Sequence, residues 1–267
     1  MSATATSNVL ITGGTSGIGL ELARHYARCG HRVVAVGRRN PDELAEPLPH
    51  DCVYCQADLS KSNAAEIVLQ TLRDSSIDCL DLLIHNAAVG FIGQPTDQLQ
   101  NSICELLATN LMAPIELSHA CLPLLSKGHF KTGSPALKTS SPRRGKIVFV
   151  SSVVSRFASP DFAVYAATKA ALDGFARSLR IELRNAIDVQ VIHPGGTRTG
   201  FHAKSGAATG FNVERFPAAE QVAEKMARAI KGRRRSATIG LGNSVFRAIH
   251  YHVGGIIEQF QRRGHKS

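Results

Sequence analysis

The chain has 267 residues, 43% of them hydrophobic and 19% charged, a balance that excludes disordered and fibrous classes. No apolar run approaches the roughly 18 residues needed to cross a bilayer, and the start MSATATSNVLITGG has no basic region followed by an apolar one, so no secretory signal is expected. The net charge of +10 raises nucleic acid and membrane surfaces as partners, but the basic residues fall in short groups (Arg38 and Arg39; Arg143, Arg144 and Lys146; Arg233 to Arg235; Arg262, Arg263 and Lys266) without interleaved aromatics, which fits solvated surface and no nucleic-acid module.

Short apolar runs alternate with longer amphipathic ones. Residues 8–12 (NVLIT) predict a first strand, followed by the glycine-rich TGGTSGIG and a helix over 18–29. A second strand at 32–36 ends in Gly37, Arg38 and Arg39, and a third covers 52–55. That third strand contains a Cys52-x-x-Cys55 pair. Residues three apart on a strand point to opposite faces, so both cysteines read as packing and not as a redox pair or metal clip. The six cysteines have no framework spacing, which predicts reduced thiols and a cytoplasmic protein. Next come a helix over 64–73, a strand at 80–85, a long helix over 99–125, and a polar, basic loop over 128–146. A fifth strand at 146–150 is followed by Ser151 and Ser152, then by a helix over 165–184, a strand at 189–193, a helix over 218–231 and a seventh strand at 237–240. Strands separated by helices imply right-handed βαβ units: a doubly wound α/β fold with a seven-stranded parallel sheet, read here as one domain over 1–267. Such folds bind ligands at the carboxyl ends of their strands.

Two patterns carry chemistry. The glycines after the first strand let backbone N–H groups approach a pyrophosphate, and the next helix points the positive end of its dipole at it. At the end of the second strand no carboxylate is present to accept a ribose 2′-hydroxyl; Arg38 and Arg39 suit a 2′-phosphate instead, with Thr15 or Ser16 as added hydroxyl donors. The cofactor expected is therefore NADP(H). The second pattern is Tyr165 and Lys169, four residues apart on one helix face, with Ser152 at a strand carboxyl end. A phenol with a pKa of about 10 needs a nearby cation to become a useful proton donor.

These residues resemble the short-chain dehydrogenase/reductase family, whose TGxxxGxG is matched by Thr12, Gly13, Gly17 and Gly19 and whose YxxxK is matched by Tyr165 and Lys169. The resemblance runs from about residue 8 to residue 240. It implies a catalytic set of Asn110, Ser152, Tyr165 and Lys169: Tyr165 as acid, Ser152 as donor to the developing oxyanion, Lys169 on the nicotinamide ribose, and Asn110 holding a water that relays protons through Lys169. It implies a cofactor surface of Thr12, Gly13, Thr15, Ser16, Gly17, Ile18, Gly19, Arg38, Arg39, Asp58 and Leu59 near the adenine, Asn86 and Ala87 beside the sheet, Tyr165 and Lys169, and Pro194, Gly195, Thr197 and Thr199 around the carboxamide. His85 and Ala88 in HNAA, and Thr197 in PGGTRT, depart from the commoner NNAG and PGxVxT. No metal is expected.

The segment 200–216 falls where that family keeps its substrate lid. Phe201, Phe211 and Phe216 would line an apolar pocket and Gly206 and Gly210 would permit hinging, so the expected substrate is a small to medium apolar ketone or aldehyde, or the alcohol in reverse. The tail over 243–267 carries an apolar stripe with basic residues. Packing within the protein or its oligomer is the preferred reading, with peripheral membrane contact and a lipid-chain or biosynthetic keto substrate as the alternative. A non-catalytic NADP(H)-binding redox sensor is the alternative class. The resemblance also implies a homodimer or homotetramer.

Overall fold

The structure is a computed structural model and describes residues 6–130, 145–156, 159–206 and 212–240. Seven strands are present in it: β1 (Asn8–Thr12), β2 (Arg32–Gly37), β3 (Val53–Gln56), β4 (Leu82–His85), β5 (Lys146–Val150), β6 (Asp188–His193) and β7 (Ser236–Thr238). All pair in parallel, in the order β3-β2-β1-β4-β5-β6-β7. The order reverses between β1 and β4, and the crevice at their carboxyl ends is where a doubly wound sheet takes its ligand.

Each interior strand is buried on both faces, so it reads as an apolar run and its alternate residues feed two cores. Leu10, Val34, Leu83, Ile147, Phe149 and Val191 join one core with Val68 and Leu72 of α2 (Ala64–Asp74) and Leu117, Leu172 and Ala176 from the helices on that side. Val9, Ile11, Val33, Ile84, Val148 and Ile192 join the other, where α1 (Gly17–Arg28) and the last described helix (Ala219–Lys231) pack on the sheet and on each other. Cys55 faces the first core and Cys52 the second, as their spacing on a strand requires.

Two expectations are corrected. The single helix over 99–125 is instead α3 (Gln100–Leu107), a π-helical turn (Ala108–Met112) and α4 (Ala113–Leu125). Pro114 explains part of the break, because it has no N–H to donate to the Asn110 carbonyl four residues back. Lys146 is not a solvated residue of the basic loop. It is 3% exposed, and its ammonium donates to the carbonyls of Ile230 and Gly232, closing the C-terminus of helix Ala219–Lys231. Most of the loop (131–144), the lid residues 207–211 and the tail over 243–267 lie outside the described residues. No helix among the described residues is long and apolar enough to cross a membrane.

Candidate active site

The turn after β1 is held by side chains from β4. The Thr12 hydroxyl accepts N–H bonds from Asn86 at 3.0 Å and Ala87 at 3.1 Å, while the Asn86 amide donates to the carbonyls of Thr12 at 3.1 Å and Gly13 at 3.3 Å. Thr12 and Asn86 are thus spent on shaping the crevice. Gly13 and Gly17 adopt φ of 65° and 52°, in the left-handed region. A methyl group on Gly19 would stand 2.1 Å from the Gly13 carbonyl oxygen. Ser16 precedes the helix, is exposed and makes no capping bond, so its hydroxyl and the first-turn N–H groups face the crevice mouth. Ile18 packs behind them on the core. This is a cradle that only a backbone-lined anion site needs, and it fits the pyrophosphate of a dinucleotide.

Beside it, Thr15 occupies the space that a side chain on Gly37 would take, with its Cγ2 2.5 Å from that position. The turn therefore lies directly on the end of β2. Arg38 follows and forms an exposed ion pair with Glu105 of α3 at 2.9 Å. Arg39 accepts a bond from the Tyr54 hydroxyl on its carbonyl at 2.5 Å, which fixes its backbone. Burial works against the charge of Asp58, but bonds from Ser60 and the nearby Arg38 and Lys61 outweigh it and hold the carboxyl below its usual range. Leu59 packs on the first core. Arg38, Arg39, Thr15 and Asp58 thus share one end of the crevice. His85 lies outside the set: it is buried and neutral, its pKa pushed down to about 3 by desolvation, with Nε2 2.9 Å from the Ser118 hydroxyl and its ring stacked on Phe149.

The catalytic candidates meet at the ends of β4 and β5. Helix α5 (Ala163–Glu182) carries Tyr165 and Lys169 on one face. The Ser152 side chain lies close enough to the Tyr165 hydroxyl to favour its ionised form; burial nonetheless pushes the phenol up to about 12. Lys169 is 2% exposed, stands 5.7 Å from the centre of the Tyr165 ring, and donates to the Val150 carbonyl at 2.9 Å. Desolvation brings its pKa down to about 8. In the protein alone, therefore, burial dominates both groups. Asn110, fully buried in the π turn, uses its side-chain amide completely: it accepts from Val89 N–H and donates to the Val89 carbonyl, both at 2.9 Å, and donates to the Thr168 hydroxyl at 3.2 Å. Thr168 in turn donates to the Tyr165 carbonyl at 2.7 Å. Thr168 sits inside the Tyr165–Lys169 turn, at a position the YxxxK spacing leaves open.

The loop after β6 closes the site. Thr199 lies against Gly17, its Cγ2 3.1 Å from where a Gly17 side chain would begin. That contact brings the Pro194–Gly195 turn to the glycine-rich one. The Pro194 carbonyl accepts from Val153 N–H at 3.1 Å. Thr197 is buried with its hydroxyl on the Gly195 carbonyl at 3.1 Å, so it shapes the loop and presents no free hydroxyl to a ligand. In the following helix, α6 (Phe201–Lys204), the Phe201 ring lies 5.4 Å from the Tyr165 ring and packs so closely on Gly90 that a side chain there would meet it at 2.5 Å. Ser205 accepts a bond from Ile92 N–H at 2.7 Å. Of the segment expected as a lid, Phe201 packs on Tyr165. Phe216 packs instead on Gly196 and His202, away from Tyr165.

Comparisons with known proteins agree with this geometry. A family model described as short chain dehydrogenase matches residues 7–210. The Xenopus tropicalis protein called dehydrogenase/reductase SDR family member 7B is 29% identical over 86% of this chain and 76% of its own length. The Escherichia coli K12 protein called uncharacterized oxidoreductase YciK is 30% identical over 74% of this chain and 76% of its own. Among solved structures, a short-chain dehydrogenase from Sphingobium yanoikuyae in complex with NADPH superposes with a TM-score of 0.72 at 25% identity, covering 94% of this chain and 95% of that one. A short chain dehydrogenase from Shigella flexneri complexed with NADP gives 0.70 at 26% identity, covering 87% and 95%. The glycine cradle, the Ser152–Tyr165 contact and the matching relatives lead to one conclusion: the chain belongs to the short-chain dehydrogenase/reductase family of nicotinamide-dependent oxidoreductases.

Proposed function

We propose that this protein is an NADP(H)-dependent oxidoreductase that interconverts a small to medium apolar ketone or aldehyde and its alcohol. The juxtaposition of Ser152 and Tyr165 beside the buried Lys169 ammonium carries this reading. A carbonyl oxygen placed between the two hydroxyls would receive a hydrogen bond from each, where negative charge develops during reduction. Tyr165 would then give up its proton to the oxygen, and Lys169 would stabilise the phenolate left behind. The nicotinamide, when bound, supplies or accepts the hydride. Thr168 and Asn110 hold the Tyr165 turn, and the Asn110 carbonyl, which gets no N–H from Pro114, is the acceptor offered to a water in the proton path.

Arg38 and Arg39 at the end of β2, with no acid there, support the choice of NADP(H), as do the relatives whose structures hold NADPH or NADP. The Phe201 ring against Tyr165 supports an apolar substrate. Self-association belongs to the same proposal: Leu107, Met112 and Ile181 remain exposed on the α3–α5 side. NADPH oxidation followed at 340 nm over a panel of ketones and aldehydes tests the activity. The parent turns over at least one member and Tyr165→Phe loses about 10²–10⁴-fold in kcat while still binding NADPH. Binding without turnover on the whole panel would favour a redox sensor instead.

A further inference from the structure

Helix α5 continues the face of Tyr165 and Lys169 one turn further, to Asp173. Asp173 is 4% exposed and is surrounded by donors. His193, 1% exposed at the end of β6, places Nε2 2.9 Å and 3.1 Å from the two carboxylate oxygens; since a carboxylate only accepts, this nitrogen carries the proton. Ser155 donates at 2.9 Å, and the Arg156 guanidinium lies at 3.6 Å. Burial works against the charge of Asp173, but the bonds from His193 and Ser155, with the Ser151 hydroxyl nearby, outweigh it and keep the carboxyl ionised, below its usual range. These groups come from the two strand ends that matter: Ser151 precedes Ser152, and His193 precedes the Pro194–Gly195 turn.

A buried carboxylate so well supplied with donors exceeds what packing needs, because an apolar residue would fill the space without a desolvation cost. Its position suggests a use. Lys169 lies one helical turn before Asp173 on the same face and is buried like it, and burial drives it toward the uncharged amine. The charged or titratable groups around the pair are Tyr165, Asp173 and Arg180 on α5, Arg156 on the turn after β5, and His193 on β6. Among these Asp173 is the only group that is an anion at neutral pH. We propose that Asp173, anchored by His193, is a positioning residue that stands behind Lys169 as its buried counter-charge and keeps the ammonium form available to Tyr165. The inference rests on the catalytic reading of Tyr165 and Lys169.

The experiment is a ¹³C NMR titration of the full chain carrying ¹³Cε-lysine, with the Lys169 signal assigned by its loss in Lys169→Arg, alongside the pH profile of kcat/KM. In Asp173→Asn, which keeps the shape and the acceptor, the Lys169 midpoint falls by about one pH unit, and the alkaline limb of the activity profile moves down with it. The Asp173→Glu and Asp173→Gln pair, equal in size, isolates the charge if Asp173→Asn folds poorly: Glu returns the midpoint toward that of the parent and Gln does not. An unmoved Lys169 midpoint in Asp173→Asn, or equal midpoints in the Glu and Gln variants, overturns the proposal even where activity falls. Absence of turnover by the parent would sink the catalytic reading, and the NMR midpoints would still decide the counter-charge.

Discussion

The Lys169 ammonium lies 5.7 Å from the centre of the Tyr165 ring and is tied by a 2.9 Å bond to the Val150 carbonyl. The tie holds a charge in a place that burial makes costly for it. Folded, Lys169 titrates at about 8; unfolded, a lysine titrates near 10.4. Below pH 8 both states carry the proton and the folded state bears the full cost. Between pH 8 and about 10.4 the unfolded state binds more protons, so this group's cost fades as pH rises. Lys169→Met should therefore be more stable than the parent at pH 7, by about 1–3 kcal/mol, and the gain should shrink by pH 10. Urea melts at both values measure it, and Lys146, buried in parent and variant alike, cancels. A stability difference independent of pH would contradict the assignment.

Gly19 offers a steric test. Its methyl group would stand 2.1 Å from the Gly13 carbonyl oxygen, a backbone atom that cannot swing aside. Gly19→Ala is expected to weaken NADPH binding at least about tenfold and to destabilise the fold by about 1–3 kcal/mol. Gly200→Ala, where a methyl would meet only the flexible end of Lys204 at 3.6 Å, is the control and should bind nucleotide normally. Fluorescence titration of NADPH distinguishes the two.

Arg38 is predicted to set the choice of cofactor. Removing a charged hydrogen bond to a phosphate costs about 1.5–3 kcal/mol, which raises KM for NADPH about 10- to 100-fold in Arg38→Ala. KM for NADH, which lacks the phosphate, should stay within about threefold. Steady-state kinetics with both cofactors measures it, and equal losses with both would reassign Arg38 to the Glu105 ion pair alone.

Phe201 should limit substrate size. Its ring fills the space between Gly90 and Tyr165. Phe201→Ala is expected to raise kcat/KM for a bulky ketone relative to a small one by about tenfold or more, since each methylene of pocket space is worth about 1–3 kcal/mol. An unchanged ratio across a graded ketone series would remove Phe201 from the pocket wall.

Strand positions were legible in the sequence because each interior strand is buried on two sides and reads as an unbroken apolar run. Where the pattern erred, a side chain was doing something other than extending a ladder. Residues 80–85 look like a strand throughout, yet β4 begins at Leu82. Asp81 spends its carboxylate on the N–H groups of Asn8 and His129, at 2.7 Å and 2.6 Å. The glycine cradle and the Ser152, Tyr165 and Lys169 cluster were legible because their spacing is local.

Asp173, His193, Lys146 and Thr168 were not legible as parts of a network. Each is polar and unremarkable in the sequence, and its meaning comes from a partner 3 to 86 residues away. Thr12 and Asn86 bond each other across the turns after β1 and β4, a detail the motif leaves open because it names a position and not the atom its side chain bonds. Thr197 differs from the family valine yet is buried like one, with its extra hydroxyl satisfied inside its own turn.

The π turn at Ala108–Met112 adds one residue to a helix that would otherwise run unbroken. One residue is about 100° of helical rotation, so α3 and α4 present their faces out of phase, with Asn110 sunk inward and Leu107 and Met112 outward on either side of it. Deleting a single residue there would restore a regular spiral and swing the amide off the Val89 backbone. The floor of the crevice is thus set by the count of residues in one loop of helix as much as by their identity.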